Sequence, residues 1–234
     1  MTPPEETAPA AKGGIYAIAH RAGNNLHHLE MALKAGVDAI ECDLWHSHGK
    51  LALRHERKLP ALPVLYDKWY VRWSMGTLRL RPLLERINFR SELFLDIKSS
   101  TPRAAESVLE LYHDHASMMP RTRVSSRQWK LLQRLGRANT DMEMYYSVGS
   151  DRALRGLLRR KRAGWDIRGT SIRHTLLTPE TVDELHYVGI KIFAWTVNNP
   201  HRGDDLRSWG VDGIIADNLE VLKPPHQREG GLFG

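Results

Sequence analysis

Short apolar runs and amphipathic stretches alternate along most of this chain. The apolar runs have the length of buried strands and fall at 15–20, 37–43, 92–97, 121–125, 142–148, 168–172, 190–197 and 212–216. The stretches between them have helical spacing, and glycines such as Gly36 and Gly189 end two of them. Eight strands that alternate with helices in one unit predict an α/β fold, a single-domain (β/α)8 TIM barrel.

The regular alternation stops at both ends of the chain and once within it. Residues 1–14 and 223–234 predict short tails around a barrel that spans 15–222. Segment 44–90 is longer than one helix needs and predicts an insertion loop, a kind of segment that often carries function. An open doubly wound sheet is the alternative fold, but no glycine-rich phosphate-binding sequence follows the first run.

Polar side chains interrupt three of the apolar runs near their ends. Glu41 and Asp43 lie in the second run, Asp96 and Lys98 in the third, and His20 closes the first. Because side chains alternate along a strand, the members of each pair share one face. Barrel enzymes place their chemistry at the carboxyl ends of the strands, where all these residues fall.

Carboxylates buried in such runs need a cation or hydrogen-bond donors. Glu41, Asp43 and Asp96 offer only oxygen ligands, which hard cations prefer, so we expect Mg²⁺ or Ca²⁺ rather than zinc. Lys98 then offers a positive charge to a phosphoryl oxygen. A buried salt-bridge cluster is the alternative, although it explains a single pair more easily than three acids and a lysine.

Charge and composition narrow the possible partners. The net charge of +7 favours anionic partners such as phosphate esters or lipid surfaces. Two segments, the basic 152–162 and the aromatic and basic 67–73, are candidates for contact with an anionic membrane surface. No nucleic-acid-binding motif occurs, so nucleic acid is not an expected partner. With the single cysteine Cys42 and no apolar stretch long enough to span a bilayer, we expect a cytoplasmic enzyme.

Six short motifs follow one another in a distinctive order. They are H-R-x-G near the start, E-x-D one helix later, a histidine in L-R-H-E, D-I-K on the third strand, A-W-T-V-N, and G-V-D-G-I-I-A-D-N. In combination they resemble the glycerophosphodiester phosphodiesterase superfamily, over most of 15–222. The resemblance implies a barrel, a divalent metal, and hydrolysis of small glycerophosphodiesters to an alcohol and glycerol 3-phosphate. It also implies the roles of individual residues: His20 and His55 as acid and base; Glu41, Asp43 and Asp96 as metal ligands; Arg21, Lys98 and Trp195 as substrate or phosphate contacts.

The sequence departs from the pattern of that superfamily at several points. The family's P-E-N-T box is missing, since A-G-N-N-L follows the first H-R, and its E-x-K is replaced by Asp96-x-Lys98. Both differences resemble the sphingomyelinase D/phospholipase D-like branch, which implies a second possibility, a lysophospholipase D or sphingomyelinase D-like enzyme acting on lipid headgroups. A third possibility is a catalytically inactive barrel that binds anionic lipid or a protein partner.

Overall fold

Eight parallel strands close into a barrel in this protein, as the alternating pattern predicts. The structure is a computed structural model that describes residues 14–47, 50–58, 64–67, 71–73, 78–138 and 141–227. Its strands are β1 (Tyr16–Ala19), β2 (Ala39–Ser47), β3 (Lys50–Leu53), β4 (Arg57–Lys58), β5 (Val64–Tyr66), β6 (Val71–Trp73), β7 (Leu78–Arg79), β8 (Glu92–Ile97), β9 (Thr122–Ser126), β10 (Glu143–Val148), β11 (Gly169–Arg173), β12 (Lys191–Trp195) and β13 (Gly213–Ala216).

The barrel is formed by β1, β2 and β8 to β13, each parallel to its neighbours. Strand β1 pairs with β13 on one side and β2 on the other, which closes the sheet. The helices are α1 (Leu26–Ala35), α2 (Leu80–Ile87), α3 (Arg103–His113), α4 (Trp129–Arg137), α5 (Asp151–Arg162), α6 (Pro179–Tyr187), α7 (Pro200–Ser208) and α8 (Leu219–Leu222). The (β/α)8 prediction is therefore confirmed. No helix in the described part of the chain has the length and apolar character that crossing a membrane requires.

The predicted insertion adds strands next to the extended carboxyl end of β2. Strand β2 runs on to Ser47 and turns back as β3, which is antiparallel to it, and β7 pairs with β3. Strands β4, β5 and β6 form a separate antiparallel sheet. The tip of the β2–β3 hairpin, parts of the predicted aromatic and basic segment, and most of both predicted tails lie outside the described residues: 48–49, 68–70, 1–13 and 228–234.

The inside of the barrel is filled in layers by alternate residues of each strand. The middle layer is aromatic: Phe94, Tyr145 and Phe193 pack together, with ring centroids 4.3 Å apart for the last two. Gly169 and Gly213 make room for these rings, because a Cβ atom at either position would lie within 3 Å of Tyr145 or Phe193. This filled middle layer separates the two ends of the barrel.

A charged layer lies below the aromatic one, at the amino ends of the strands. Arg123 donates to Glu92 and, at 3.1 Å, to Glu143, while its guanidinium lies 4.4 Å from the ring centroid of Tyr16. Tyr16 also donates to Glu92. Glu92, Arg123 and Glu143 are therefore all paired within this layer, which stabilises the fold.

Replacement of Arg123 with methionine tests that structural role. We expect the free energy of unfolding to fall by about 3 kcal/mol, because Glu92 keeps its charge in a mostly buried place without its cation. Chemical denaturation of the variant measures the loss. Replacing the exposed Arg155 of α5 with methionine is the matched control and should change stability by no more than about 0.5 kcal/mol.

Candidate active site

The first two residues after β1 begin the site at the carboxyl end of the barrel. Arg21 has a φ of 54°, a left-handed conformation that is rare for a residue with a long side chain. This conformation turns its backbone N–H toward Glu41, where it donates to Oε2 at 2.5 Å. The unusual backbone at Arg21 therefore fixes the side chain of Glu41.

Three carboxylates meet next to this turn, as the sequence predicts. Glu41 and Asp43 point inward from β2, and Asp43 is the register partner of Asp96 on the neighbouring parallel strand β8. One oxygen from each of the three carboxylates lies within 4.8 Å of the others. Glu41 and Asp43 are almost completely buried, with 3% and 0% of their surface exposed, so these charges are not screened by water.

One lysine partly balances the three acids. Lys98 Nζ lies 2.7 Å from Asp43 Oδ1 and also donates to Asp96. Burial opposes the charge of Asp43, but hydrogen bonds and charge from His55 and Lys98 bring the pKa of Asp43 well below its usual value. For Glu41 the balance is reversed: burial, and then the neighbouring Asp43, raise its pKa well above the usual range.

This arrangement fits a hard divalent cation. The ligand atoms are all carboxylate oxygens, and Asp96 Oδ1 is buried without a hydrogen-bond donor. With all three acids ionised, the cluster also carries one negative charge more than its two cations, Lys98 and Arg21, supply. A bound Mg²⁺ or Ca²⁺ would satisfy both the orphaned oxygen and the excess charge, which a simple salt-bridge cluster leaves uncompensated.

The two predicted histidines line one cavity of about 790 Å³ beside the carboxylates. His20 Nδ1 lies 2.7 Å from Asp217 Oδ1, a carboxylate that follows β13. His55 Nδ1 lies 3.3 Å from Asp43 Oδ2, and its Nε2 lies 3.1 Å from the guanidinium of Arg21 and 3.3 Å from Asp67. Both imidazoles are thus held at the barrel mouth by acidic partners.

Two asparagines and an aspartate, Asn24, Asn198 and Asp217, complete the site. Asn24 pairs reciprocally with Asp43, donating to Oδ2 at 2.8 Å and accepting from its backbone N–H at 3.0 Å. Asn198 donates to Asp217 at 2.8 Å. Asn24 and Asn25 stand where the family has its P-E-N-T box, and Asn25 caps the N-terminus of α1.

A signal for Asp217 is present in the sequence. Gly213, Ile215 and Asp217 continue one inward-facing series along and just beyond β13. The alternation that locates Glu41 could therefore have located Asp217 as well. Burial alone would raise the pKa of Asp217, but the hydrogen bond and charge of His20 lower it to about 2. The carboxylate is therefore ionised at any pH near neutrality.

Trp195 stands at the same end of the barrel, on β12, and is partly exposed. The guanidinium carbons of Arg127 and Arg173 lie 5.7 and 5.6 Å from the centroid of its indole. The sequence predicted a substrate-lining role for Trp195, and the structure places it beside two cations.

Comparison with known proteins agrees with this geometry. The model of the glycerophosphoryl diester phosphodiesterase family matches residues 96–221, more than half of the chain. A curated relative, the putative glycerophosphodiester phosphodiesterase YhdW of Bacillus subtilis (strain 168), is 38% identical over 52 residues. That match covers 22% of this chain and only 21% of the relative.

Solved structures share the fold at low sequence identity. A putative glycerophosphoryl diester phosphodiesterase from Silicibacter pomeroyi DSS-3 is 21% identical, with a TM-score of 0.73 over 89% of this chain and 92% of that one. One from Agrobacterium tumefaciens C58 is 16% identical, with a TM-score of 0.74 over 90% and 96%. An Oleispira antarctica phosphodiesterase, solved with the product sn-glycerol-3-phosphate, is 18% identical, with a TM-score of 0.69 over 86% and 92%.

The family match begins at Asp96, so it includes Lys98, Trp195 and Asp217 of the site. His20 and Glu41 lie before it, and it is the barrel that brings the two halves of the site together. Because the family model matches more than half of this chain, the chain belongs to the glycerophosphoryl diester phosphodiesterase family.

Proposed function

We propose that this protein hydrolyses glycerophosphodiesters to an alcohol and glycerol 3-phosphate, using a divalent cation held by Glu41, Asp43 and Asp96. The observation that carries the proposal is the meeting of these three carboxylates with two imidazoles at one end of the barrel. Family membership supports the reaction class, and the product bound to the Oleispira antarctica enzyme supports the glycerol phosphate half of the substrate.

The two histidines provide the proton transfers. The Nδ1 atom of His20 is engaged with Asp217, which leaves Nε2 as the atom that exchanges a proton with the substrate. Asp43 holds Nδ1 of His55, so its Nε2, which the solvent-accessible Asp67 and Arg21 contact, is the second site of proton transfer. One imidazole removes a proton from the attacking hydroxyl, and the other protonates the leaving alkoxide.

The remaining residues bind and orient the reacting phosphate. Lys98 and the guanidinium of Arg21 lie beside the carboxylates and provide charge-assisted hydrogen bonds to phosphoryl oxygens. A bound Mg²⁺ or Ca²⁺ supplies further positive charge against the charge that builds on those oxygens. Asn24 keeps Asp43 in place through its paired hydrogen bonds.

A lysophospholipase D activity is the second candidate, and one observation favours it. Leu26 and Met31 of α1 are 44% and 48% exposed, and both line the cavity that holds His20 and His55. Leu53 and Leu78 line the same cavity. An apolar wall next to the reacting group suits an acyl chain better than it suits water-soluble glycerophosphodiesters.

A substrate panel separates these activities. The purified protein is incubated with Mg²⁺, Ca²⁺ or EDTA and offered glycerophosphocholine, glycerophosphoethanolamine, lysophosphatidylcholine or sphingomyelin. Alcohol release that EDTA stops supports metal-dependent hydrolysis, and the preferred substrate distinguishes the first candidate from the second. No turnover of any diester, with tight binding to anionic vesicles, would instead support an inactive lipid-binding barrel.

Asp217 is a positioning residue in this proposal, and its replacement with asparagine tests that role. We expect kcat to fall by roughly 10- to 100-fold with little change in KM, because the imidazole of His20 loses the partner that orients it. The carboxylate is already ionised above pH about 2, so the contribution of the pair is lost only as the pH falls toward that value. Steady-state kinetics at neutral pH measures the effect.

A double variant provides the control for Asp217. In a protein that already lacks the His20 imidazole, replacing Asp217 should change kcat by less than about twofold, because Asp217 acts only by orienting that imidazole. Two full, additive losses would show that Asp217 acts independently of His20.

A further inference from the structure

Two arginines continue the inward-facing series at the carboxyl ends of two strands: Arg127 lies one residue beyond β9, and Arg173 is the last residue of β11. Arg127 follows Arg123 and Ser125 in the inward series of β9, and Arg173 is the register partner of Trp195 on the neighbouring strand. Both guanidiniums lie over the indole of Trp195. They therefore face the mouth of the barrel, beyond the aromatic layer, and not the outer helices.

These two guanidiniums have no counter-charge in the described part of the chain. Neither Arg127 nor Arg173 forms an ion pair there, whereas Lys98 has both Asp43 and Asp96 as partners. Stacking on Trp195 holds the side chains without neutralising them. A pair of uncompensated, partly immobilised guanidiniums is suited to bind a phosphate or a carboxylate.

Arg127 also lines a second cavity, of about 670 Å³, that shares His55 with the first one. The cationic side chains in its wall are Arg57, Lys98 and Arg127. The acidic ones are Asp67, which contacts His55, and Asp96, which contacts Lys98. The described linings of the two cavities differ. The first includes the exposed apolar Leu26 and Met31, whereas in the second, called here the basic cavity, Lys and Arg side chains outnumber the acids by three to two.

We propose that the basic cavity binds a second anionic group, a phosphate or a carboxylate, carried by one of the two alcohols that the substrate diester joins. Arg127 contacts that anion, and Arg173 is its neighbour across the indole of Trp195. A quaternary ammonium such as choline is disfavoured in the same cavity, because it would meet Arg57 and Arg127. The inference rests on the proposed phosphodiesterase function and names the class of substrate for it.

The test compares diesters that share glycerol phosphate and differ in the second alcohol. They are glycerophosphoglycerol, the same compound with a terminal phosphate, the glycolate diester, which ends in a carboxylate, and glycerophosphocholine. We expect kcat/KM to be roughly 10- to 100-fold higher for the phosphate-bearing diester than for glycerophosphoglycerol, the effect of one or two hydrogen bonds to a charged group. The carboxylate diester should rank second and glycerophosphocholine last.

The variants R127Q and R173Q then show whether the arginines cause this preference. R127Q should reduce the ratio of the two kcat/KM values to near 1. R173Q, which removes a cation that does not line the cavity, should reduce the ratio less. R159Q, which removes an exposed arginine on the outer helix α5, should leave it unchanged. A wild-type ratio near 1 overturns the inference. So does an equal loss on every diester in R127Q, since the arginine would then contact the reacting phosphate itself.

A binding measurement separates failure of this inference from failure of the proposed function. If the wild-type protein with Mg²⁺ or Ca²⁺ hydrolyses none of the four diesters, the proposed function is wrong. Titration calorimetry with glycerol 1,3-bisphosphate and glycerol 3-phosphate still tests the basic cavity. Binding of the bisphosphate that is at least tenfold tighter, and that R127Q abolishes, supports it, while equal affinities overturn it.

Discussion

Replacing either His20 or His55 with alanine should lower the turnover of a glycerophosphodiester by roughly 10²–10⁴-fold, the range that general acid or base catalysis contributes. The two histidines come from different parts of the chain, after β1 and after β3, yet line the same cavity. Each is held by a carboxylate, Asp217 or Asp43, at one ring nitrogen. Neither imidazole is needed to close the barrel, so the loss should appear in kcat and not in stability.

Several measurements make this prediction specific. Steady-state kinetics with saturating Mg²⁺ or Ca²⁺ gives kcat for each variant, and thermal unfolding shows whether the fold and metal binding are retained. His113, whose side chain is 90% exposed at the end of α3, is the matched control, and its replacement with alanine should leave turnover within about twofold. If a variant without His20 or without His55 turned over at a near-normal rate, the missing histidine would have no part in proton transfer.

Much of this site could be predicted because barrel strands impose a strict alternation. Once 37–43 is read as a strand, Glu41 and Asp43 must share a face, and Asp96 on the next barrel strand reaches the same level. Because burying unpaired carboxylates is costly, a nearby cation can be inferred before the residues around them are known. The structure places the three acids together as predicted, while their role as metal ligands stays a prediction.

The parts that could not be predicted depend on loop backbone and not on periodicity. Nothing in the sequence shows that Arg21 adopts a left-handed conformation, and that conformation sends its N–H to Glu41. The pairing of Asn24 with Asp43 likewise depends on the short helical turn that precedes α1. The second strand ends at Ser47 and not at 43, because a hairpin with β3 continues its ladder.

The proposed preference for an anionic second alcohol also depends on residues that are distant in sequence and close together in the fold. Arg127 and Arg173 are separated by more than forty residues, and only the register of β11 with β12 and the reach of Trp195 bring them to one indole. A net charge of +7 alone did not distinguish a basic cavity from a basic outer surface.

Replacing Glu41 with glutamine should separate the stability of the barrel from its function. Burial and the charge of Asp43 raise the pKa of Glu41, so its ionised form destabilises the metal-free protein at neutral pH. Since the folded state then binds the proton more tightly than the unfolded state, stability without metal falls as the pH rises above the unfolded pKa. Glutamine keeps the acceptor for the Arg21 N–H but carries no charge. We therefore expect the free energy of unfolding in EDTA to rise.

The same substitution should reduce metal-dependent turnover. A cation at this site is expected to contribute several kcal/mol of charge stabilisation, so weakening its binding should lower turnover by roughly 10²–10³-fold. Added Mg²⁺ or Ca²⁺ should raise the unfolding temperature of the wild-type protein and raise that of the variant much less. Calorimetric unfolding with EDTA and with each metal measures both effects.

Glu143, in the charged layer at the other end of the barrel, provides the opposite case. Burial disfavours its charge, but Arg123 and Lys191 together lower its pKa, so the ionised form stabilises the fold. Replacing Glu143 with glutamine should therefore lower the free energy of unfolding, whether or not metal is present, and leave turnover largely unchanged. If the Glu41 variant also lost stability in EDTA, the ionised Glu41 would stabilise the metal-free fold. The proposal that the three carboxylates repel one another until a cation binds would then be wrong.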